Sequence, residues 1–410
     1  MTPPGDRAGA TWRPLLEGEE AEAARAARDA VVAELARLQP DPIGLDGGWA
    51  GLALVHGALA RGGDEEALDR CADCLERAFD QLGEVRSPWL VDGVAGVAWV
   101  AGHLADLIDI EEDTLAELDG LCARLLARDR WTGAWEHLYG LVGLALPAVD
   151  GRSPAAERAR ADALRHLAAG AERPGDGLTW RAPPEMLASG DERAANPGGY
   201  HDLGMAHGAC GIAALLARAG GEASELLEGA VRWLRARDGG DPAGRFPLRL
   251  GASLASRRQL DGWCYGDQAA GAALVAAGGA AGRADWIAHG VEVARAAAAR
   301  QPRLADATLC HGALGRAHLF SRIGQATGAE DLLDAARAWY RRALAMRRPG
   351  EGVGGFALAE PGASPAGLLT GGAGLALALD AAVSAEEPRW DRALLVDLAP
   401  GALTAAEAAR

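Results

Sequence analysis

Gly371-Gly372-Ala373-Gly374, followed at once by LALALDAA (375–382), shows most plainly the pattern that decides the fold of this chain. A Gly-x-x-Gly turn, or a loosened form of it, recurs before an apolar run at intervals from the mid-forties to the high sixties of residues. Two glycines at this spacing lie one turn apart at a helix start, where missing side chains let the backbone approach a neighbour closely. Such an interval fits one helical hairpin plus loops per repeat. The turns open at Gly48, Gly93, Gly140, Gly208, Gly266, Gly312 and Gly371, and the fifth has its next glycine only at Gly271.

Amphipathic segments lie between the turns, for example EEAEAARAARDAVVAELARL (19–38) and AEDLLDAARAWYRRALAM (329–346). Their apolar residues recur at three- and four-residue intervals, which is typical of helices that bury one face, and strand signals are almost absent. Buried inner helices that alternate seven times with amphipathic outer ones predict an all-α fold, a closed α/α toroid; an open solenoid is the alternative. We expect residues 1–410 to form a single domain, with residues 1–15 as a disordered N-terminal tail.

The composition excludes several classes of function. The 410 residues carry 41 basic and 57 acidic side chains, a formal net charge of −16, and this balance disfavours binding to nucleic acid or to an anionic membrane. Every basic residue is Arg, so mechanisms that need a Schiff-base or P-loop lysine are excluded. No apolar stretch has the length and character of a membrane span, and Met1 to Arg13 lacks the apolar core of a secretory signal. We therefore predict a soluble, cytoplasmic protein that does not insert into membranes.

Two neighbouring turns carry residues that could bind a metal ion. WCYG contains Cys264, and LCHG contains Cys310 and His311. If the helix starts converge at one end of the toroid, these side chains form a Cys₂His set that suits Zn²⁺ and leaves its fourth position open. A helix N-terminus also lowers the pKa of a thiol, which favours binding as thiolate. Four other cysteines are predicted to be packing residues: Cys71, Cys74, Cys122 and Cys210.

Two further residues face the same end of the predicted toroid. His207, in MAHG, occupies the position in the fourth turn that His311 occupies in the sixth. It could be a metal ligand, a core histidine or a general acid/base. Glu136 precedes the third turn by four residues, and it could be catalytic or simply a carboxylate favoured by a helix N-terminus.

The segments DLGMAHGACGIAALL, DGWCYGDQAAGAAL, LCHGALG and LLTGGAGLALAL resemble, in this order and spacing, the LanC-like proteins, the family of the lanthionine cyclases. The resemblance covers nearly the whole chain. It implies that Cys264, Cys310 and His311 are zinc ligands and that His207 is the catalytic histidine. It also places Tyr265 in the active site and puts Glu136 at the position of a catalytic aspartate.

The resemblance further implies a substrate and a reaction. A dehydrated precursor peptide supplies a cysteine thiol that is activated at zinc and attacks dehydroalanine or dehydrobutyrine, which forms a thioether ring. His207 is the expected acid/base, Glu136 orients it, and Tyr265 is the expected hydrogen-bond donor near the enolate. A lanthipeptide dehydratase is an expected partner.

This sequence departs from the family pattern at two places. Glu136 replaces an aspartate, and Gly266-Asp267-Gln268-Ala269 stands where the family usually has Gly-x-Pro-Gly. The family also has an arginine upstream of the WCYG tryptophan, and Arg257, Arg258 and Leu260 are the alternatives for that position.

Two other functions remain open. One is the intermolecular addition of a small thiol, such as glutathione, to dehydrated proteins. The other is a non-catalytic protein in which zinc is structural and the toroid binds a peptide. A glycan-processing α/α barrel would need two suitably spaced acids, and Glu136 alone is well placed.

Overall fold

The computed structural model describes residues 11–40, 42–187, 189–251 and 261–401. In the described part of the chain, seven helices begin directly after the first glycine of each turn, and most of their residues are buried. They are α2 (Trp49–Arg61), α4 (Val94–Leu104), α6 (Leu141–Asp150), α9 (Ala209–Ala219), α11 (Asp267–Ala281), α13 (Ala313–Thr327) and α15 (Gly372–Val383).

Seven outer helices of the described chain surround this inner set, and each buries only one face. They are α1 (Gly18–Leu35), α3 (Glu65–Asp80), α5 (Glu112–Leu126), α7 (Pro154–Gly170), α10 (Ser224–Arg235), α12 (Ala284–Ala299) and α14 (Glu330–Met346). Each inner helix packs against the outer helix that follows it in the chain, except that the last one, α15, packs against the first outer helix, α1. The two ends of the described chain therefore complete the seventh hairpin together.

The remaining elements are short. Among the described residues there is one further helix, α8 (Gly190–Ala195), and there are 3₁₀ helices at Leu82–Glu84, Pro184–Met186, Gly220–Ala223 and Arg389–Leu394. The strands β1 (Arg181–Ala182), β2 (Tyr200–Asp202) and β3 (Arg249–Leu250) form an antiparallel sheet in that order. The sheet was not predicted, because strands of two or three residues are too short to show alternation.

In six of the seven turns, the second glycine is required by a close approach of the main chain. A Cβ on Gly143 would lie 1.9 Å from the carbonyl oxygen of His137, and one on Gly315 would lie 1.8 Å from that of Leu309. The chain thus folds back onto the first helical turn at a distance that no side chain allows. The fifth turn has Ala269 at this position, and there Gly266 adopts a φ of 95°, so this loop differs in shape from the others.

Main-chain hydrogen bonds join most of the glycine turns to their neighbours around the ring. They run from Asp46 N to Val91 O (2.7 Å), His137 N to Ala206 O (3.0 Å), Met205 N to Cys264 O (2.9 Å), Trp263 N to Cys310 O (2.7 Å) and Cys310 N to Leu369 O (2.8 Å). The Leu369 N–H also donates to Asp46 Oδ1 (2.9 Å), and α15 packs against both α13 and α2. The last turn therefore meets the first, which confirms the closed toroid and excludes the open solenoid.

The N-terminal segment differs from the expected tail. Trp12, Leu15 and Leu16 are buried, and the Leu15 N–H donates to the carbonyl of Ala382 at 2.9 Å. The prediction of a disordered tail was therefore wrong for residues 11–15, because their apolar side chains pack on the toroid, where the Arg322 guanidinium lies 4.9 Å from the Trp12 ring; residues 1–10 lie outside the described part of the chain. Within the described ranges, no helix combines the length and the apolar character needed to cross a bilayer.

Candidate active site

The fifth and sixth turns bring two thiols and one imidazole together. The Trp263 N–H donates to the Cys310 carbonyl at 2.7 Å, so Cys264 lies directly beside Cys310 and His311. The ligand atoms of Cys264, Cys310 and His311 all lie within 4.8 Å of one another, and Cys264 Sγ is 4.0 Å from His311 Nδ1. Among the described residues, this is the one group of three or more side chains able to hold a metal ion.

The electrostatics of this group fit a soft-ligand divalent ion. Hydrogen bonding to Cys310 lowers the pKa of Cys264 to about 6 against the effect of burial, and His311 acts in the same direction. The hydrogen bond to Cys264, together with burial, raises the pKa of Cys310, while the same thiolate raises the pKa of His311. The three groups thus compete for shared protons in a small buried space. Two thiolates and one neutral imidazole are a donor set that Zn²⁺ prefers, and binding the ion would release these protons.

His207 and Glu136 form a pair next to this group. His207 Nδ1 lies 2.9 Å from Glu136 Oε2. The carboxylate is held in place because it also accepts the main-chain N–H groups of Leu138 (2.9 Å) and Tyr139. Burial works against protonation of His207, but the hydrogen bond and charge of Glu136 outweigh it and raise the pKa of the imidazole. The arrangement suits an acid/base: 40% of the His207 side chain is exposed, whereas 11% of the Glu136 side chain is.

His207 was open to three interpretations on sequence, and its surroundings bear on each of them. It is not part of the three-residue group able to hold a metal ion, and its partly exposed side chain is not that of a core histidine. Its ring centroid lies 6.1 Å from that of Tyr265, which follows Cys264 in the chain. The geometry therefore favours the acid/base interpretation.

Tyr265 is tied to two residues that sequence reasoning missed. Its hydroxyl donates to Asp202 Oδ2 at 2.6 Å and accepts from Arg249 Nη2 at 3.3 Å. Strand pairing places Asp202 opposite Arg249, and Arg249 Nε also donates to Asp202 Oδ2 at 3.1 Å. The hydroxyl hydrogen of Tyr265 is thus directed at a buried carboxylate.

A signal for Asp202 was present in the sequence. An aspartate precedes the turn glycine by six residues in both the fourth and the sixth turns, at Asp202 and Asp306. Each accepts the main-chain N–H two residues on, at 2.8 Å for Gly204 and 3.0 Å for Thr308. No such repeat marks Arg249, because its place beside the site depends on a strand of two residues.

The departures from the family pattern have structural counterparts. Asp267 is fully buried at the first turn of α11, where it accepts the N–H groups of Arg245 and Phe246 at 3.0 Å. The altered loop is thus anchored by a carboxylate. Arg257, Arg258 and Leu260 lie outside the described residues.

The remaining cysteines have the surroundings of packing residues. Cys71, Cys74, Cys122 and Cys210 are all buried and unbridged. Cys71 Sγ donates to the Ala53 carbonyl at 3.1 Å, and burial raises its pKa to about 12.

Comparisons with known proteins agree with this geometry. The model of the family described as lanthionine synthetase C-like protein matches residues 39–395, a range that contains every residue of the candidate site. Among solved structures, the chain is similar to nisin cyclase, with a TM-score of 0.73 and 16% sequence identity over 91% of this chain and 97% of that chain. At this identity the likeness shows the fold, which is the α/α toroid. No curated protein sequence matches the chain.

Proposed function

Because the chain belongs to the lanthionine synthetase C-like family, we propose that it is a zinc-dependent lanthionine cyclase. Its substrate is a dehydrated lanthipeptide precursor, in which cysteine thiols add to dehydroalanine or dehydrobutyrine to form lanthionine or methyllanthionine. The observation that carries this proposal is the placement of the Cys264, Cys310 and His311 group beside a partly exposed histidine that is paired with a carboxylate.

The metal and the protein have separate tasks in this reaction. A zinc ion on these three residues would supply one thing, a lowered pKa for a substrate thiol, so that the sulfur is a nucleophile at neutral pH. The side chains of the protein deliver and take up the protons. As the C–S bond forms at the β-carbon, the π electrons of the dehydro residue move to its carbonyl oxygen, and the α-carbon must then take up a proton.

In this proposal His207 delivers that proton. Its raised pKa keeps a larger fraction of the imidazole protonated near neutral pH, and Glu136 fixes the ring through Nδ1, which leaves Nε2 as the donor. The proton released by the substrate thiol restores the imidazolium, so each turnover conserves protons. Tyr265 was expected to donate to the enolate, but its hydroxyl donates to Asp202 here. We therefore assign proton transfer to His207. Tyr265 instead lines the site beside the His207 ring.

A synthetic peptide with one cysteine and one dehydroalanine tests the function. Cyclisation conserves mass and removes the alkylatable thiol, whereas addition of free glutathione raises the mass, so mass spectrometry separates the cyclase from the thiol-adding alternative. A cytoplasmic location and a dehydratase partner remain predictions. A protein that contains zinc but neither cyclises nor modifies such peptides would support the non-catalytic alternative.

Two substitutions separate the metal from the acid/base. We expect Cys310→Ala to lose both zinc and ring formation, and His207→Asn to keep zinc while the rate falls by about 10²–10⁴-fold. Cys122→Ala, at a buried cysteine on α5, is the control and should keep both. Loss of zinc from His207→Asn would contradict this division of roles.

A further inference from the structure

We infer that the segment 388–398, which we call the C-terminal plug, is a positioning element of the active site. This inference rests on the proposed function, but its test includes measurements that do not depend on turnover. The plug contains the 3₁₀ helix Arg389–Leu394 and lies near the C-terminal end of the described chain. None of its residues was singled out by the sequence motifs.

The plug lies inside the ring. It contacts inner helices on several sides: it packs against α2, Asp397 pairs with Arg218 of α9, and Asp391 pairs with Arg322 of α13. Most of its side chains are buried, including Trp390, Leu394 and Val396. An element that contacts inner helices in three directions must occupy the space that they enclose.

Two carbonyls of the plug bond to side chains that adjoin the active site. The Ala393 carbonyl lies 2.7 Å from His137 Nε2, and His137 follows Glu136 in the chain. The Leu394 carbonyl accepts from Trp263 Nε1 at 2.9 Å, and Trp263 precedes Cys264.

The two side chains also contact each other, with ring centroids 6.0 Å apart in an edge-to-face arrangement. His137 belongs to the third turn, which carries the acid/base pair's carboxylate, and Trp263 belongs to the fifth turn, which carries a metal ligand. These turns are not neighbours in the ring. The consecutive carbonyls of the plug therefore connect the chain segments that carry Glu136 and Cys264, through two side chains that are themselves buried.

The plug is itself firmly held. Asp391 is fully buried and accepts from Arg322 Nε at 2.6 Å and from His318 Nε2 at 2.6 Å, and the His318 ring stacks on Trp390. Both partners belong to α13, the helix that begins after the turn with Cys310 and His311. The metal ligands of the sixth turn and the plug are therefore fixed to the same helix.

Breaking either contact has a physical cost that reaches the site. A buried donor or acceptor without a partner is penalised by about 1–3 kcal/mol, so a plug carbonyl that loses its ring donor shifts to find another. Catalytic groups must hold their geometry within about 0.5 Å. Displacement of the third turn relative to the fifth should therefore reduce the rate without removing the metal.

Matched aromatic substitutions test this inference. Trp263→Phe removes the indole donor to the plug. Trp180→Phe removes an equivalent donor outside the ring of turns, because Trp180 Nε1 donates to the Leu167 carbonyl over a distance of 2.9 Å. We expect both variants to lose similar thermal stability, but Trp263→Phe alone to lose about tenfold in kcat with KM unchanged.

Histidine provides a second matched pair. His137→Phe removes the bond to the plug, whereas His166→Phe removes a buried histidine whose Nε2 lies 2.9 Å from the Leu126 carbonyl. Its ring centroid is 6.1 Å from that of Trp131, close to the arrangement of His137. We expect the His137 variant alone to lower kcat.

Spectroscopy makes the result independent of the substrate. Visible absorption of the cobalt-substituted protein, and the imidazole resonances of His207 and His311 in the metal-free protein, should shift in Trp263→Phe but not in Trp180→Phe. Equal kcat values and unshifted spectra for the two tryptophan variants would overturn the inference. A wild-type protein that cyclises no peptide would instead refute the proposed function, and the resonance comparison would still decide the role of the plug.

Discussion

The hydrogen bond between Glu136 and His207 gives the sharpest prediction, and Glu136→Gln is the perturbation. Glutamine keeps an acceptor oxygen of the same reach, but it removes the negative charge that raises the pKa of His207. The folded pKa of the imidazole should therefore fall. If protonated His207 supplies the proton, the rate is lost as pH rises through this pKa, and in the variant that loss begins at a lower pH.

The size of the shift follows from the contact. A hydrogen bond to a charged partner contributes about 1.5–3 kcal/mol and a neutral one about 0.5–1.5 kcal/mol, so about 1 kcal/mol of preference for the imidazolium is lost. Solvent screens a side chain that is 40% exposed, which keeps the value at the lower end. Since one pKa unit corresponds to about 1.36 kcal/mol, the pKa of His207 should fall by somewhat less than one unit.

The assay is the single-turnover rate of ring formation between about pH 5.5 and 9, with zinc content measured at each pH. On the alkaline side the variant should be about fivefold slower, and well below both midpoints the two rates should converge. Glu172→Gln is the control, because Glu172 Oε2 lies 2.9 Å from His201 Nε2 on the small sheet. This is the same distance as that between Glu136 and His207. A midpoint that stays in place or moves to higher pH would refute the reasoning.

Two stability predictions follow from buried geometry. Gly143→Ala should destabilise the fold by about 2–4 kcal/mol in urea unfolding, because its Cβ would lie 1.9 Å from a carbonyl oxygen. Gly102→Ala, in α4 with open space around its Cβ, should instead stabilise the fold by about 0.5–1 kcal/mol. Asp391→Asn should lower the free energy of unfolding by about 3–5 kcal/mol, because the buried Arg322 loses the charge of its main partner. Asp29→Asn, at an exposed ion pair, should lower the free energy of unfolding by less than about 1 kcal/mol. Equal losses within either pair would contradict the burial argument.

The glycine repeat could be recognised in the sequence because it has a local structural cause. A glycine is needed wherever the chain folds back within van der Waals distance of its own helix, and six of the seven turns show that need at Gly51, Gly96, Gly143, Gly211, Gly315 and Gly374. Buried inner helices and one-sided outer helices likewise follow from hydrophobic periodicity. The all-α class, the seven hairpins and the closed ring were therefore predictable.

Part of the candidate site could be predicted from the sequence for the same reason. Cys264, Cys310, His311 and His207 occupy related positions in repeated turns, so any closed arrangement of those turns brings them to one end. Arg249 and the carbonyls of Ala393 and Leu394 have no such signature. They reach the site through a two-residue strand and a segment enclosed by the ring.

Local sequence specifies which residues begin each inner helix and which chemistry the turns can carry, since both depend on contacts within a few residues. The packed fold is needed to know that Tyr265 donates to Asp202, that Trp12 is buried, and that the C-terminal plug fills the ring. These contacts join residues far apart in the chain, and their partners are selected by the space that the closed ring leaves, which no local pattern records.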